Sequence, residues 1–238
     1  RGPPRPNGRR SSGAGRMNAP TIRVELHCHT YRSKDCLMRI DRLLETARRK
    51  GLQRLAITDH NQIEGAFEAY AMDPELVIVG EEIFTTRGEL LGYYMKELIP
   101  PGLEPMETIE RMKAQGAVIS VPHPLDSVRG GAWEEQDLRA ILPFVDAVEI
   151  FNARCIGGSA NRQAQTVAQQ AGLPGTAGSD AHSYLEVGTA GLRLPAFHDA
   201  ASMREALRQA EVVGRLSSPL VHFLSRYASF RKKLGRED

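Results

Sequence analysis

From Thr21 onward the chain alternates short apolar runs with stretches of helical spacing, and nearly every apolar run ends on a polar group able to bind or react. TIRVEL leads into His27 and His29, RLAIT into Asp59 and His60, and LVIVG into Glu81 and Glu82. AVISV delivers His123 between two prolines, DAVEIF delivers Asn152 and Arg154, and the short run before GSDAH delivers Asp180 and His182. GELLGYYM reads as a further strand. Between the strands, residues 39–50 carry Ile40, Leu43, Leu44 and Ala47 on one face, and Gly51 stops the helix. Residues 61–71, capped by Asn61, read as helix, as do 105–115, 133–142, 159–171 and 200–212, and the basic tail from His222. Strand–helix repetition predicts parallel strands with helical crossovers. An open doubly wound sheet gathers its ligands at one switch point, whereas here nearly all strands contribute, which favours closure into a barrel.

The histidines make a metal the natural ligand. Residues i and i+2 of a strand point to one side, so His27 and His29 aim at a common point, and Asp180 and His182 repeat that spacing. By the same alternation Cys28 points away from them, into the barrel wall. Five of the seven histidines (27, 29, 60, 123, 182) follow strands; His198 and His222 read as surface or helix-packing residues.

Charge and composition narrow the partners. The formal charge of the 238 residues is +2, but residues 1–16 hold five arginines and no acid. The remainder carries 26 basic against 29 acidic residues, a net −3, with no basic face of the kind a duplex nucleic-acid binder shows. Residues 1–20, rich in Pro, Gly, Ser and Arg, are expected to be disordered. They read either as residues encoded upstream of Met17 or as a basic tail that touches nucleic acid. No apolar run reaches the length of a membrane span and no signal-peptide core stands near the start. Three sparse cysteines suit a reducing compartment, so a cytoplasmic location is expected.

The motifs HCHTYRSKD, AITDHNQIEGA, VGEEI, VPHP, VEIFNAR and GSDAHS, in this order over residues 22 to about 195, resemble the PHP (polymerase and histidinol phosphatase) family of metal-dependent phosphoesterases. The resemblance implies an α/β fold, a distorted (β/α)7 TIM-like barrel, spanning 21–195, with a C-terminal helical extension over 196–238. It implies two to three divalent ions (Zn, Mn or Fe) at the C-terminal strand ends. One would be held by His27, His29, Glu82 and Asp180, a second by Glu82 and His123, and a third by Asp35, His60 and His182. Glu82 rather than Glu81 fits the family's G-x-E-I, which leaves Glu81 as a solvated or helix-facing carboxylate. Where many members have a histidine in the following strand this chain has Glu89, whose carboxylate is an acceptable ligand of the second ion.

The implied reaction is hydrolysis of a phosphate ester, a small phosphomonoester or nucleotide, by a metal-activated water. Asp59 would steady an imidazole from behind, and Arg154 would meet the phosphate, as could Arg32, Lys34 and Arg129. Histidinol phosphate, bisphosphorylated nucleotides and nuclease-like processing of short oligonucleotides are competing substrates. A degenerate PHP module that binds metal without turnover is the non-enzymatic alternative.

Overall fold

A computed structural model describes residues 20–128 and 131–235 of the chain. The basic segment 1–19 lies outside the described residues, as does Arg129.

Among the described residues nine strands share one sheet. In chain order they are β1 (Thr21–Glu25), β2 (Arg54–Ile57), β3 (Val77–Phe84), β4 (Glu89–Tyr93), β5 (Val118–Val121), β6 (Ala147–Asn152), β7 (Gly175–Gly178), β8 (Ala190–Pro195) and β9 (Glu211–Gly214). The spatial order is β7-β6-β5-β4-β3-β2-β1-β8-β9. Around them run α1 (Ile40–Arg49), α2 (Glu64–Met72), α3 (Pro105–Ala114), α4 (Glu135–Ile141), α5 (Ser159–Ala171), α6 (Ala200–Leu207) and α7 (Val221–Lys233).

The first seven strands form the nearly closed barrel. Val24, Ala56, Ile78, Leu91, Val118, Ala147 and Ala177, one residue from each of them, meet in a single buried cluster with Leu192, Leu194 and Met203. One residue per strand in one cluster defines the barrel interior. The alternate strand positions, among them Leu55, Ile57, Val77, Val79, Ile119 and Val121, pack outward against Leu43, Ile109 and Leu138 of the helices. Past their regular ends, β1 and β7 join: Asp180 N–H donates to His27 O at 2.8 Å and His29 N–H to Ala181 O at 3.1 Å. Gly178 permits that approach, because a Cβ there would stand 2.3 Å from His27 Cβ.

The sheet departs from all-parallel expectation at two places. β4 is antiparallel to both β3 and β5. Only four residues, 85–88, separate β3 from β4, too few for a crossover. β8 is antiparallel to β1, and β9 to β8. Residues 200–212 are therefore not one helix: α6 stops at Leu207 and Val212 and Val213 pair with β8. The C-terminal part thus contributes strand as well as helix.

Two local readings also change. Asn61 does not cap α2, which begins at Glu64; it takes φ +52° and its Oδ1 accepts the Phe84 N–H at 2.8 Å. Trp133 precedes α4 and donates its indole N–H to Glu89 O at 3.1 Å. Among the described residues no helix is long and apolar enough to cross a membrane.

Candidate metal centre

The strand ends converge on Glu82. It lies in β3, wholly buried, and four imidazoles surround its carboxylate. Oε1 is 3.3 Å from His27 Nε2 and 3.1 Å from His123 Nε2. Oε2 is 2.8 Å from His60 Nδ1 and 3.5 Å from His29 Nε2. Asp180 adds a second carboxylate, its Oδ1 3.1 Å from His29 Nε2 and 3.7 Å from His27 Nε2. Asp35 joins the other edge, 3.2 Å from His182 Nε2 and 3.7 Å from His60 Nε2. Glu89 Oε2 lies 3.6 Å from His123 Nε2, and Gly131 leaves the room that its carboxylate fills. Two residues of the group sit on strained backbone, His123 at φ +25° and Asp180 at φ +54°, a conformation that side-chain-bearing residues adopt mainly at functional sites.

The donor set fits divalent cations. Among the described residues, ring nitrogens and carboxylate oxygens lie within 4.8 Å of one another in four overlapping groups: His27/His29/Glu82, His29/His60/His182, His60/Glu82/Glu89 and His27/His123/Glu149. The Nε2 atoms of His27, His29 and His182 are buried and make no hydrogen bond among the described residues. Polar nitrogens of this kind, desolvated and unpaired, are costly unless a partner such as a cation receives them. The protonation pattern is correspondingly divided. Burial opposes charge throughout, yet the neighbouring Glu82, Asp180 and Glu149 carboxylates hold the His27 pKa well above the ordinary value. Burial, His182 and His60 push His29 down to about 3. His27 and His60, overcoming burial, keep Glu82 well below the carboxylate range.

Behind the cluster stands an acid that sequence reasoning passed over. Glu149 of β6, 1% exposed, has Oε1 3.0 Å from His27 Nδ1, while its Oε2 accepts from His123 N–H at 2.8 Å and Asn152 Nδ2 at 3.0 Å. Asn152 Nδ2 also reaches Asp180 Oδ2 at 3.2 Å. Asp59 lies behind His29. Its carboxylate accepts from Thr30 N–H, Thr30 Oγ1 and Ser33 Oγ, each at 2.6 Å, and Ser33 Oγ is 3.1 Å from His29 Nδ1. Its support reaches an imidazole through Ser33, and it does not line the cavity.

Asp35, His60, Glu89, His123, Asp180 and His182 of the cluster line a cavity of about 610 Å³ that Arg154 and Lys34 also line. Arg154 is buried; it donates to Ser225 Oγ at 2.7 Å, contacts His182 Nδ1, and has Nε 3.6 Å from Glu186 Oε1. Lys34 stands over the Phe84 ring at 5.3 Å. Arg32 is elsewhere: it pairs with Glu68 at 3.3 Å and is absent from the lining. Glu81 is not solvated. It is buried on the other side of β3, accepts the Ile99 N–H at 3.1 Å, and burial raises its pKa to about 7. His198 is exposed, while His222 packs α7 on the Arg154 backbone and reaches the cavity rim. Cys28 and Cys36 belong to the apolar core, where burial raises their thiol pKa values.

Comparison with known proteins adds relatives to this geometry. The family profile described as PHP domain matches residues 25–87, and the one described as PHP-associated matches 158–212. An uncharacterized protein of Methanocaldococcus jannaschii, MJ1587, is 36% identical over 145 residues, covering 56% of this chain and 82% of its own. A second from that organism, MJ0417, is 36% identical over 172 residues, covering 71% and 69% respectively. Among solved structures, a two-domain protein from Bacteroides vulgatus containing a predicted PHP-like metal-dependent phosphoesterase superposes with a TM-score of 0.68 at 18% identity. That superposition covers 83% of this chain and 66% of the other, and it shows the shared fold.

Proposed function

The chain belongs to the PHP (polymerase and histidinol phosphatase) family, and on that premise we propose that it hydrolyses a phosphate ester, a small phosphomonoester or nucleotide, with two to three divalent cations. The observation that carries this reading is the buried Glu82 carboxylate ringed by four imidazoles, two of which, His60 and His123, line a cavity that Arg154 also lines. His27, His29, Glu82 and Asp180 would hold one ion, Glu82, Glu89 and His123 a second, and Asp35, His60 and His182 a third. Mixed imidazole and carboxylate donors accept Zn, Mn or Fe. Bound there, such ions lower the pKa of water and neutralise charge on a phosphoryl group.

The protein's own groups prepare the site. Glu149 holds the proton at His27 Nδ1, so that on cation binding it is Nε2 that would lose its proton and offer a lone pair to the cluster. Asp59, through Thr30 and Ser33, fixes the loop that carries His29 and leads to Asp35. Arg154, held by Ser225 and Glu186, presents a guanidinium to the ester phosphate. No side-chain nucleophile is required, and the buried Cys28 and Cys36 thiols are turned into the core.

The test is hydrolysis of p-nitrophenyl phosphate and bis-p-nitrophenyl phosphate with Mn²⁺ or Zn²⁺, repeated with chelator. Turnover that needs the cation is expected. Stoichiometric metal binding without turnover of either ester would replace the hydrolase with a metal-binding regulatory module.

A further inference from the structure

Helix α7 lies against the cavity with its aromatic face outward. Its inner side is small and polar: Ser225 and Ala228 are buried, and Lys232 Nζ donates to Ser33 O at 2.8 Å and to Tyr31 O. Arg154 bonds Ser225 from below. The outer side carries Phe223, Arg226, Tyr227, Phe230 and Lys233, which share one face at i, i+3, i+4, i+7 and i+10. Phe223, Tyr227 and Phe230 are 65%, 56% and 60% exposed. A helix that merely packs would turn such rings inward.

We propose that this face is a platform for a short single-stranded oligonucleotide whose terminal phosphate ester enters the metal cavity. The assignment rests on the hydrolase reading for the direction of the strand. Three observations select this occupant. First, α7 contains Arg226, Arg231, Lys232 and Lys233 and no acid, while the chain beyond residue 16 is net acidic, so a polyanion is attracted here and repelled elsewhere. The same charge disfavours a second copy, whose α7 would bring its own arginine and lysine against these, and disfavours the arginine-rich residues 1–16. Second, the rings are spaced for separate bases. At 1.5 Å per residue, Phe223 and Tyr227 are about 6 Å apart along the axis and Tyr227 and Phe230 about 4.5 Å. Both steps exceed the ~3.4 Å rise of a stacked strand, so bases settle singly on the rings. Third, the platform is continuous with the cavity, because Phe223 and Arg226 line both. A flat membrane surface seated on the same face would cover that opening. A duplex keeps its bases stacked and offers the rings nothing.

The test is fluorescence anisotropy of the full chain with fluorescein-labelled oligo(dT) and oligo(U), in chelator so that nothing is cleaved. Single strands are expected to bind more tightly than a duplex of equal length. Tyr227→Ala and Phe230→Ala should each weaken binding by about 5- to 150-fold, with thermal midpoints confirming that each variant is folded. Arg226→Gln and Lys233→Gln should each reduce the slope of log affinity against log salt by about 0.7. Equal duplex affinity, or single-strand affinity indifferent to both aromatic changes, overturns the platform. So does absence of oligonucleotide binding together with sedimentation on phosphatidylserine vesicles, or with a dimer, that these substitutions abolish. Hydrolysis of the p-nitrophenyl esters is scored separately on the wild-type chain. Ester turnover without strand binding sinks the platform alone, and strand binding without ester turnover supports the platform while sinking the hydrolase.

Discussion

Glu149→Gln changes one atom and removes an arrangement no amide can reproduce. The carboxylate accepts on both oxygens: Oε1 faces His27 Nδ1 at 3.0 Å, and Oε2 takes His123 N–H and Asn152 Nδ2 at 2.8 and 3.0 Å. A glutamine has one accepting and one donating end. If the NH₂ faces His27, Nδ1 must accept, and the ring proton moves to Nε2. That proton then points at Glu82 and Asp180, 3.3 and 3.7 Å away, and the lone pair meant for a cation is gone. If the NH₂ turns the other way it opposes two buried donors, each costing about 1–3 kcal/mol when unsatisfied. The first orientation is the cheaper, so the loss falls mainly on metal affinity, by roughly 10- to 100-fold, equivalent to about 1.4–2.7 kcal/mol. The assay is competition for Mn²⁺ or Zn²⁺ against a fluorescent chelator, starting from metal-free protein. A variant that keeps its affinity to within about twofold would refute the proton placement on His27.

Three further outcomes are expected. Glu89→Gln, at 3.6 Å from His123 Nε2, should lower the metal stoichiometry and turnover by about one ion's share, read by elemental analysis; unchanged stoichiometry and activity would remove Glu89 from the ligands. Gly178→Ala would set a methyl 2.3 Å from His27 Cβ, so a loss of about 1–3 kcal/mol in denaturant unfolding, together with weaker metal binding, is expected. Glu81 has a folded pKa of about 7 against an unfolded value of 4.5, so its contribution is fully present below about pH 4.5 and is lost as pH rises through 7. Glu81→Gln keeps an acceptor for Ile99 N–H and cannot ionise; unfolding should show it more stable than wild type by about 1–3 kcal/mol at pH 8 and equal at pH 4.5, with metal content intact.

What could be read in the sequence and what could not divides by the range of the interaction. His27 with His29, and Asp180 with His182, declare themselves because a two-residue period fixes a shared direction with no knowledge of the neighbours. Gly80-Glu81-Glu82-Ile83 offers two adjacent acids, and the same period sends one to the cluster and the other to Ile99. Glu149 carries no such mark. It sits inside an ordinary alternating strand, and the partner that gives it meaning is 122 residues away. The antiparallel β4 was legible in principle from the four residues that separate it from β3. The β8 strand was not, since AGLRLP is unremarkable until β1 lies beside it. α7 shows the limit most clearly. Its aromatic spacing of four and then three is what any amphipathic helix would show, and local pattern alone turns it toward the core. Its orientation is decided by Arg154 and by the Tyr31 and Ser33 carbonyls. A buried guanidinium and two loop carbonyls require Ser225 and Lys232 on the inner side, and the rings follow outward because the helix has only one other face.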